Sequence, residues 1–283
     1  MEQLPKAVSQ AVKDVHASNP LASSWTNFVT INLVANAQLA VGGRAAMCFL
    51  PDEAKPLAFI SKSIYINAGT LQPISASALP EAAKAAVELK KPWVLDPVAA
   101  GLGDTRNAIL KELKQYKPDI IRGNASEIMA LANLWELQTQ NGSVDGVDAK
   151  DSVDAALPSA KALASYTGGA VAVSGEMDIV LDNKCICNIY GGSAMLKSIT
   201  GAGCSLGGVM AVYLSVSDAF TAAVTGSAVY KWASQNAEKP SIGTFSFQTA
   251  FIDNLSLLNP ETIQKYFEKN SEVRYVEPFK RYF

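Results

Sequence analysis

The stretch Ser198-Ile199-Thr200-Gly201-Ala202-Gly203-Cys204-Ser205-Leu206-Gly207-Gly208 leads from a strand-like segment into an apolar helix. Gly201 and Gly203 give the backbone access to positive φ, which a tight turn requires. The first N–H groups of the helix lack partners within it and lie at the positive end of its dipole, so the turn can bind a phosphate. Cys204 lies at the same helix N-terminus, where the local field favours the thiolate. Taken alone, the stretch is explained equally well as a plain strand-to-helix connection.

The length allows one large α/β domain or two small ones, and the composition favours one compact core. We expect a single domain over residues 1–283, with a core from about residue 20 to about residue 260 and a packed or partly mobile tail at 264–283. Hydrophobic residues make up 49% and charged residues 18% of the chain. These values exclude a disordered chain and a nucleic-acid binder with a basic surface. Because 24 basic and 26 acidic residues leave a formal net charge of −2, any phosphate has to be bound by local groups.

The sequence predicts a cytoplasmic protein with reduced cysteines. Its apolar runs end before the roughly 20 residues that a membrane span needs, and the stretch around Lys6 and Lys13 lacks the apolar region of an export signal. Four cysteines do not make a disulfide framework in a chain of this size. Cys185 and Cys187 have the spacing of half a metal site, but His16 is the single histidine, so we expect no closed zinc site.

Short β-rich runs alternate with helix-like stretches, which is typical of βαβ units around a mostly parallel sheet. The glycine-containing loop 175–177 predicts a hairpin and therefore antiparallel strands at one sheet edge. Residues 80–89 indicate a helix with Pro80 in its first turn, residues 203–237 two packed helices, and residues 138–148 a surface loop. The predicted strands are Ala46–Phe49, Ser63–Asn67, Trp93–Asp96, Ile120–Arg122, Gly169–Ser174 and Asp178–Asp182.

Polar residues directly follow four of these strands, at the sheet edge where open α/β proteins bind their ligands. Each has a structural explanation, such as a turn at Asp96, an N-cap at Asn124 or Ser126, or a first-turn carboxylate at Glu127. Their occurrence at four strand ends, together with the turn at Gly201, favours a phosphate-handling active site. The four segments are Asn67–Thr70, Asp96–Gly101, Arg122–Glu127 and Ser174–Glu176.

These residue types suit phosphoryl transfer, which depends on charge neutralisation, oxygen ligands for Mg²⁺ and a positioned nucleophile. Asp96 and Glu127 offer carboxylates, and Arg122 offers a forked cation suited to a phosphate. The turn from Gly201 to Cys204 offers N–H groups for the charge that develops on the transferred group. The chain lacks a G-x-x-x-x-G-K-[ST] loop, a G-x-G-x-x-G motif, a G-x-S-x-G elbow and the protein-kinase signature set. A kinase with this sequence therefore belongs to another lineage.

Two motifs are specific in combination: I-R-G-N-A-S-E-I at Ile121–Ile128 and T-G-A-G-C at Thr200–Cys204. The accompanying matches are Thr26–Asn36, Gly42–Met47, Asn67–Leu71, Val94–Gly101, Gly146–Asp148, Ala172–Asp178 and Gly243–Leu255. With these motifs in this order, the chain resembles the hydroxyethylthiazole kinases of the ribokinase-like superfamily, over roughly residues 25–258. The resemblance implies a three-layer fold in which helices flank a mostly parallel sheet with antiparallel edge strands. It also implies ATP- and Mg²⁺-dependent phosphorylation of the alcohol of 4-methyl-5-(2-hydroxyethyl)thiazole, as in thiamine salvage.

The resemblance further implies roles for residues on the substrate side. Met47 and Gly201 match positions that contact the thiazole, and Asn27 and Gly69 belong to matching motifs that we assign to substrate binding. The family forms trimers with substrate sites at subunit interfaces. A homotrimer is therefore implied here, in which Met47 serves a neighbouring subunit.

On the nucleotide side, Arg122 and Ser174 match ATP contacts, and Asn124 in the same motif as Arg122 is assigned with them. Asp96 and Glu127 match the acidic positions associated with Mg²⁺ and phosphate.

Catalysis is assigned by the same resemblance to Cys204, Gly201 and Gly203. Cys204 falls where related ribokinase-like enzymes carry an aspartate base, so its thiolate is implied to accept the proton of the substrate hydroxyl.

The chain departs from the family at Ser23-Ser24-Trp25, where a His-Asn pair and an aliphatic residue are usual, and at Ala99, where glycine is preferred. In the family the usual asparagine helps to hold the heterocycle. Because Ser24 is shorter than this asparagine and Trp25 is much larger than the usual aliphatic residue, a reshaped thiazole pocket or a changed substrate is expected. Two alternatives therefore stay open: a kinase for another small heteroaromatic alcohol such as hydroxymethylpyrimidine, and a non-catalytic thiazole- or nucleotide-binding relative.

Overall fold

A computed structural model describes residues 3–137, 153–240 and 242–276. Within these ranges, nine strands form one sheet in the order β2-β1-β3-β4-β5-β6-β7-β8-β9. The strands are β1 Leu21–Trp25, β2 Arg44–Met47, β3 Ser63–Asn67, β4 Trp93–Asp96, β5 Ile120–Asn124, β6 Ala170–Ser174, β7 Asp178–Leu181, β8 Cys185–Ile189 and β9 Ser271–Tyr275.

Strands β1 to β6 pair in parallel, and β7, β8 and β9 add antiparallel pairs at one edge. The hairpin predicted around residues 175–177 is confirmed, since Val171 of β6 lies opposite Leu181 of β7. The predicted mostly parallel sheet with antiparallel edge strands is therefore confirmed.

Helices cover both faces of the sheet and bury two separate hydrophobic cores, as expected for a three-layer α/β arrangement. One core, centred on the apolar helix Ala202–Leu214, lies under α1, α2 and α8 to α11, and the other lies under α3 to α7. The helices are α1 Gln3–Ser18, α2 Ile31–Ala40, α3 Ala54–Ile60, α4 Ser75–Glu88, α5 Asp104–Leu113, α6 Ala125–Leu134, α7 Leu157–Thr167, α8 Ala202–Leu214, α9 Ala219–Ala237, α10 Thr244–Ser256 and α11 Pro260–Asn270.

Several local predictions are corrected by the structure. Pro80 lies inside α4 rather than in its first turn, because the helix begins at Ser75. The strand predicted at Ala46–Phe49 lies two residues earlier, and β1, β8 and β9 were not predicted. Two packed helices at 203–237 are confirmed as α8 and α9.

The predicted C-terminal tail is ordered structure as far as residue 276. Residues 260–270 form α11, and Ser271–Tyr275 pair with β8, so this segment completes the sheet. The aromatic and charged composition of the segment concealed the strand, because its side chains are only partly buried at the sheet edge. The predicted loop at 138–148, which includes the Gly146–Asp148 motif, and residues 277–283 lie outside the described residues.

Across the described residues, no helix is long and apolar enough to cross a membrane. Cys185 and Cys187 lie on β8, and the described part of the chain holds no group of three or more His, Cys, Asp or Glu side chains suited to a metal.

Candidate active site

Four polar residues meet at one edge of the parallel sheet. Asn67, Asp96, Asn124 and Ser174 are the last residues of β3, β4, β5 and β6. In the sheet register Asn67 lies beside Asp96, and Asn124 beside Ser174. The strand ends that the sequence singled out therefore form one contiguous site, because carboxyl ends of adjacent parallel strands lie at the same sheet edge.

Helix α8 begins above this edge, and its two glycines serve different purposes. Gly201 caps the helix at φ +90°, as predicted, and a Cβ there would lie 2.7 Å from Cγ2 of Thr30. Gly203 is helical, so the expectation of positive φ at this position is wrong. It is glycine for another reason: a Cβ at Gly203 would lie 2.6 Å from Nη1 of Arg122. The guanidinium thus packs against the first turn of α8.

The Asp96 carboxylate lies at the centre of the site and is fully buried. Its Oδ2 accepts a hydrogen bond from Nδ2 of Asn67 at 3.1 Å, and lies 2.9 Å from the hydroxyl oxygen of Tyr65 and 3.5 Å from Nη1 of Arg122. Among the described residues, Oδ1 has no hydrogen-bond partner. Burial raises the pKa of Asp96 to about 7, against the lowering effect of Arg122 and with a further raising effect of Glu127.

Arg122 links Asp96 to the end of β6. Its Nη2 donates to Oγ of Ser174 at 3.1 Å, and the side chain is almost fully buried. Burial lowers the pKa of the guanidinium, but the charges of Asp96 and Glu127 outweigh it and the pKa is raised, so Arg122 stays charged. The two proposed ATP contacts, Arg122 and Ser174, are therefore in direct contact with each other, and Arg122 also contacts Asp96.

Asn27 and Gly69 lie on the opposite side of the site. Nδ2 of Asn27 donates to Oδ1 of Asn67 at 3.0 Å and lies 3.7 Å from Sγ of Cys204. The N–H of Gly69 donates to the same Asn67 oxygen at 2.9 Å, and a Cβ on Gly69 would lie 2.8 Å from Nδ2 of Asn27. Gly69 is thus required by the close approach of Asn27.

The Cys204 thiol is half-buried at the start of α8. Burial and the charge of Asp96 raise its pKa, and Arg122 only partly offsets them. Contrary to the expectation that the helix N-terminus favours the thiolate, burial and the nearby carboxylate favour the protonated thiol.

Glu127 and Asn124 form a capping box at the start of α6, which confirms the N-cap explanation of Asn124. Oδ1 of Asn124 accepts from the N–H of Glu127, and Oε2 of Glu127 accepts from the N–H of Asn124, both at 2.9 Å. Oε1 of Glu127 accepts from the N–H of Ala99 at 3.1 Å. Each carboxylate oxygen keeps a second lone pair, so the box leaves room for one further contact per oxygen.

Two cavities flank these residues. One, of about 260 Å³, is lined in part by Arg122, Ser174, Gly203 and Lys231. The other is a cleft lined by the ends of β1 and β3 and by the first turns of α4; Trp25 and Gly69 are among its residues. The start of α8 contacts residues on the side of each cavity. Gly203 packs against Arg122 beside the larger cavity, and Cys204 contacts Asn27 on the side of the cleft.

Of the three consecutive residues that depart from the family pattern, Ser23 and Ser24 lie in the core and Trp25 lines the cleft. Ser23 bonds Ser61, and Ser24 exchanges hydrogen bonds with Gln38, all fully buried. Ser24 therefore offers its hydroxyl to Gln38 within the core rather than to the cleft. Trp25 does line the cleft. Its indole Nε1 is buried and has no hydrogen-bond partner in the described ranges.

Met47 ends the edge strand β2 and lies half-buried outside the lining of the cleft. The structure does not bring it to the other predicted substrate residues of the same chain.

Two contributors to the site were missed by sequence reasoning. Tyr65 lies inside a strand whose apolar pattern marks it as core, and nothing in that pattern distinguishes its hydroxyl. Lys231 lies on α9 and pairs with Asp178 at 3.2 Å. Its sequence signal is a lysine within the long apolar helix Ala219–Ala237, since a buried lysine needs a polar or charged partner.

Comparison with known proteins matches the sequence of the chain to one enzyme family. The model of the hydroxyethylthiazole kinase family matches residues 12–261. The chain is 49% identical over 274 residues to the hydroxyethylthiazole kinase of Bifidobacterium animalis subsp. lactis, with 93% of this chain and 90% of the relative covered. The structure is similar to that of a hydroxyethylthiazole kinase protein from Pyrococcus horikoshii, with a TM-score of 0.82, 27% identity and coverage of 95% and 99%. The fold is also similar to that of the Staphylococcus aureus pyridoxal kinase in complex with ADP, with a TM-score of 0.56, 14% identity and coverage of 90% and 98%.

Proposed function

Because the chain belongs to the hydroxyethylthiazole kinase family and has its ribokinase-like fold, we propose that the site described above phosphorylates the hydroxyl of 4-methyl-5-(2-hydroxyethyl)thiazole with ATP. The chain is a kinase, and a role in thiamine salvage is consistent with its family. One observation carries the assignment of the reaction to these residues: the start of α8 is in contact with Arg122 on one side and with Asn27 on the other.

We assign the two substrates to the two sides of α8. We place the thiazole at the small cleft, of about 20 Å³, beside Trp25, Gly69 and Asn67, with the Asn27 amide bound to Asn67 next to it. ATP occupies the cavity beside Arg122 and Ser174. The first N–H groups of α8 lie between them, so they can stabilise the charge that develops on the transferred phosphoryl group. The predicted roles of Gly201 and Gly203 follow, since both glycines let other groups approach this turn.

We place Mg²⁺ at Asp96, with Glu127 as the second carboxylate. The fit rests on Oδ1 of Asp96, which is buried and lacks a partner among the described residues, and on carboxylate oxygens as ligands that Mg²⁺ prefers. Sites for Mg²⁺ commonly use one or two carboxylates together with the substrate phosphates, so a third protein ligand is not required. When bound, Mg²⁺ neutralises charge on the phosphates. Arg122 adds a permanent positive charge, and Asn124 is exposed at the end of β5 beside them.

Cys204 is assigned as the group that takes the proton of the substrate hydroxyl. Its thiol has a raised pKa, so the thiolate is a minor form near neutral pH and a strong base when present. Asn27 holds Sγ from the thiazole side at 3.7 Å. Much of the rate therefore comes from positioning of the hydroxyl and from the α8 N–H groups, with the thiol as proton acceptor.

We further propose that the chain works as a homotrimer with Met47 offered to a neighbouring subunit. Exposed apolar side chains lie near the cleft and the β2 edge: Phe28 is 52% and Val29 is 61% exposed, and Leu50 is exposed as well. The Phe28 ring stacks on that of Phe49, with centroids 4.4 Å apart. Clustered exposed apolar groups of this kind mark interaction surfaces. Analytical ultracentrifugation tests the trimer, and a monomer at assay concentration contradicts it.

The experiment that tests the function is an ADP-release assay on purified protein with ATP, Mg²⁺ and the thiazole alcohol. Turnover of this alcohol above hydroxymethylpyrimidine supports the proposal. Binding of the thiazole by calorimetry without turnover favours a non-catalytic relative instead.

A kinase for a different heteroaromatic alcohol is the second candidate, because Trp25 lines the cleft and its buried indole N–H has no hydrogen-bond partner among the described residues. Preferential turnover of such an alcohol, lost in Trp25→Phe, supports that candidate.

A further inference from the structure

We propose that Tyr65 is a positioning residue for phosphoryl transfer, which holds Asp96 and the first turn of α8 in a fixed relation. This inference rests on the proposed roles of Asp96 and Cys204. It concerns a residue that lies beneath the site and touches neither substrate cavity.

The Tyr65 hydroxyl lies among three groups of the site. It is 2.7 Å from the carbonyl oxygen of Cys204 and 2.9 Å from Oδ2 of Asp96, and it accepts a hydrogen bond from Nδ2 of Asn67 at 2.8 Å. The side chain is completely buried, so solvent does not compete for these contacts. A single atom thus connects the ends of β3 and β4 to the start of α8.

The hydroxyl has one hydrogen and two acceptors. It therefore donates either to the carbonyl of Cys204 or to Asp96, while the amide of Asn67 donates to it. Removal of the hydroxyl takes the shared donor from both acceptors at once; the Asp96 carboxylate is buried and the Cys204 carbonyl is partly buried. Asp96 would then keep Asn67 at 3.1 Å and the more distant Arg122 at 3.5 Å. Both the carboxylate and the helix start would be free to shift.

Gly207 provides the space that this arrangement needs. A Cβ at Gly207 would lie 2.5 Å from Cε2 and 2.9 Å from the hydroxyl oxygen of Tyr65. Gly207 is within α8 and does not have positive φ, so its conformation does not call for glycine. Glycine is required there by the close contact with the Tyr65 ring. The sequence thus pairs a tyrosine in β3 with a glycine one turn into α8.

The test compares Tyr65→Phe with Tyr213→Phe. Both remove one fully buried hydroxyl, and that of Tyr213 has no hydrogen-bond partner in the part of the chain described. We expect kcat of Tyr65→Phe to fall roughly 10- to 100-fold, as for other residues that orient a metal-binding group. We expect KM for ATP and for the thiazole alcohol to change less than about threefold, because neither cavity is altered. Tyr213→Phe should match the wild type.

Gly207→Ala is the second variant, and it should also lower kcat because the ring has to move. Melting temperatures are measured for all three variants, and kcat is normalised to folded protein. If wild type turns over the thiazole and both Tyr65→Phe and Gly207→Ala keep its kcat, the inference is overturned while the proposed function stands. The inference is also overturned if Tyr65→Phe loses only stability, with kcat per folded molecule unchanged. An inactive wild type overturns the proposed function itself, and the inference with it.

Discussion

Nζ of Lys231 lies 3.2 Å from Oδ1 of Asp178, and both side chains are almost fully buried. The same ammonium donates to the carbonyl oxygens of Gly175 at 2.9 Å and Glu176 at 2.6 Å. Oδ1 of Asp178 also accepts from the N–H of Gly175 at 3.0 Å. This pair ties α9 to the β6–β7 hairpin, which follows Ser174 at the proposed ATP cavity.

Replacement of Lys231 by methionine is expected to destabilise the protein by about 3–5 kcal/mol, because it leaves a buried carboxylate without its cation. KM for ATP should rise as the hairpin loosens. Urea denaturation at constant pH measures the loss in the free energy of unfolding. The double variant Lys231→Met/Asp178→Asn removes both charges and should recover most of it. Equal instability of the single and double variants would contradict this account.

Cys204→Ala should lower kcat at least about tenfold and more than it raises KM, since it removes the proposed proton acceptor. The usual pKa of a cysteine thiol is 9.0, and that of Cys204 is raised above it. The fraction of Cys204 present as thiolate therefore keeps increasing with pH up to and beyond pH 9. Wild-type kcat should therefore rise as pH increases through this range. Cys204→Asp should keep or raise kcat and flatten that profile, because its carboxylate is ionised throughout. An unchanged kcat in Cys204→Ala excludes the proton-transfer role.

Gly203→Ala should raise KM for ATP and lower kcat/KM about tenfold or more, because a Cβ 2.6 Å from Nη1 has to displace the Arg122 guanidinium. Helix stability should not suffer from the change itself, since alanine is the better helix former. Gly243→Ala is the matched control, as a Cβ there meets no atom within 4 Å. Steady-state kinetics with varied ATP distinguish the two variants, and equal kinetics would argue against a positional role of Gly203.

Chelation of Mg²⁺ by EDTA should abolish turnover, and added Mg²⁺ should restore it. Because burial raises the pKa of Asp96 to about 7, its carboxylate is protonated at lower pH and available to the metal at higher pH. The Mg²⁺ concentration that gives the half-maximal rate should therefore decrease as the pH is raised from about 6 to about 8. Asp96→Asn should raise this concentration and remove its pH dependence. A pH dependence that persists in Asp96→Asn would assign it to another group.

Ala99→Gly should stabilise the protein by up to about 1 kcal/mol. Ala99 has φ +58°, a left-handed conformation that costs a residue with a Cβ roughly 1–2 kcal/mol, partly offset by the entropy of glycine. Ala100 is the matched control: its φ is not positive, and Ala100→Gly should destabilise by about 0.5–1 kcal/mol. Chemical denaturation of both variants measures the difference. Similar destabilisation by the two changes would show that the strain at Ala99 is relieved elsewhere.

The sequence predicted the parts of the site that local pattern controls. The ends of β3, β4 and β6 were found to the residue at Asn67, Asp96 and Ser174, because each strand is a short apolar run followed by a polar residue. Given parallel strands, these ends have to meet at one edge. The capping role of Asn124 was equally visible, since it depends on a residue three positions away.

Other features depend on contacts between segments that are distant in the chain. The Tyr65 hydroxyl meets the carbonyl of Cys204 across 139 positions, and no local pattern reports such a contact. The raised pKa of the Cys204 thiol likewise follows from burial and from Asp96, not from its place at a helix start. Strand β9 pairs with β8 although its own composition is that of a tail.

The sequence alone thus determined the alternation of strands and helices from β2 to β7, the polar ends of β3, β4 and β6 and the glycine turn before α8, since hydrophobic periodicity and backbone conformation are local properties. Only the tertiary structure decided which groups touch within the site. In the folded chain Arg122 packs against Gly203, Ser24 is buried in the core with Gln38, and the Tyr65 hydroxyl lies next to the Asp96 carboxylate. The physical reason is that hydrogen bonding, desolvation and close packing depend on neighbours that are brought together only when the sheet and α8 assemble.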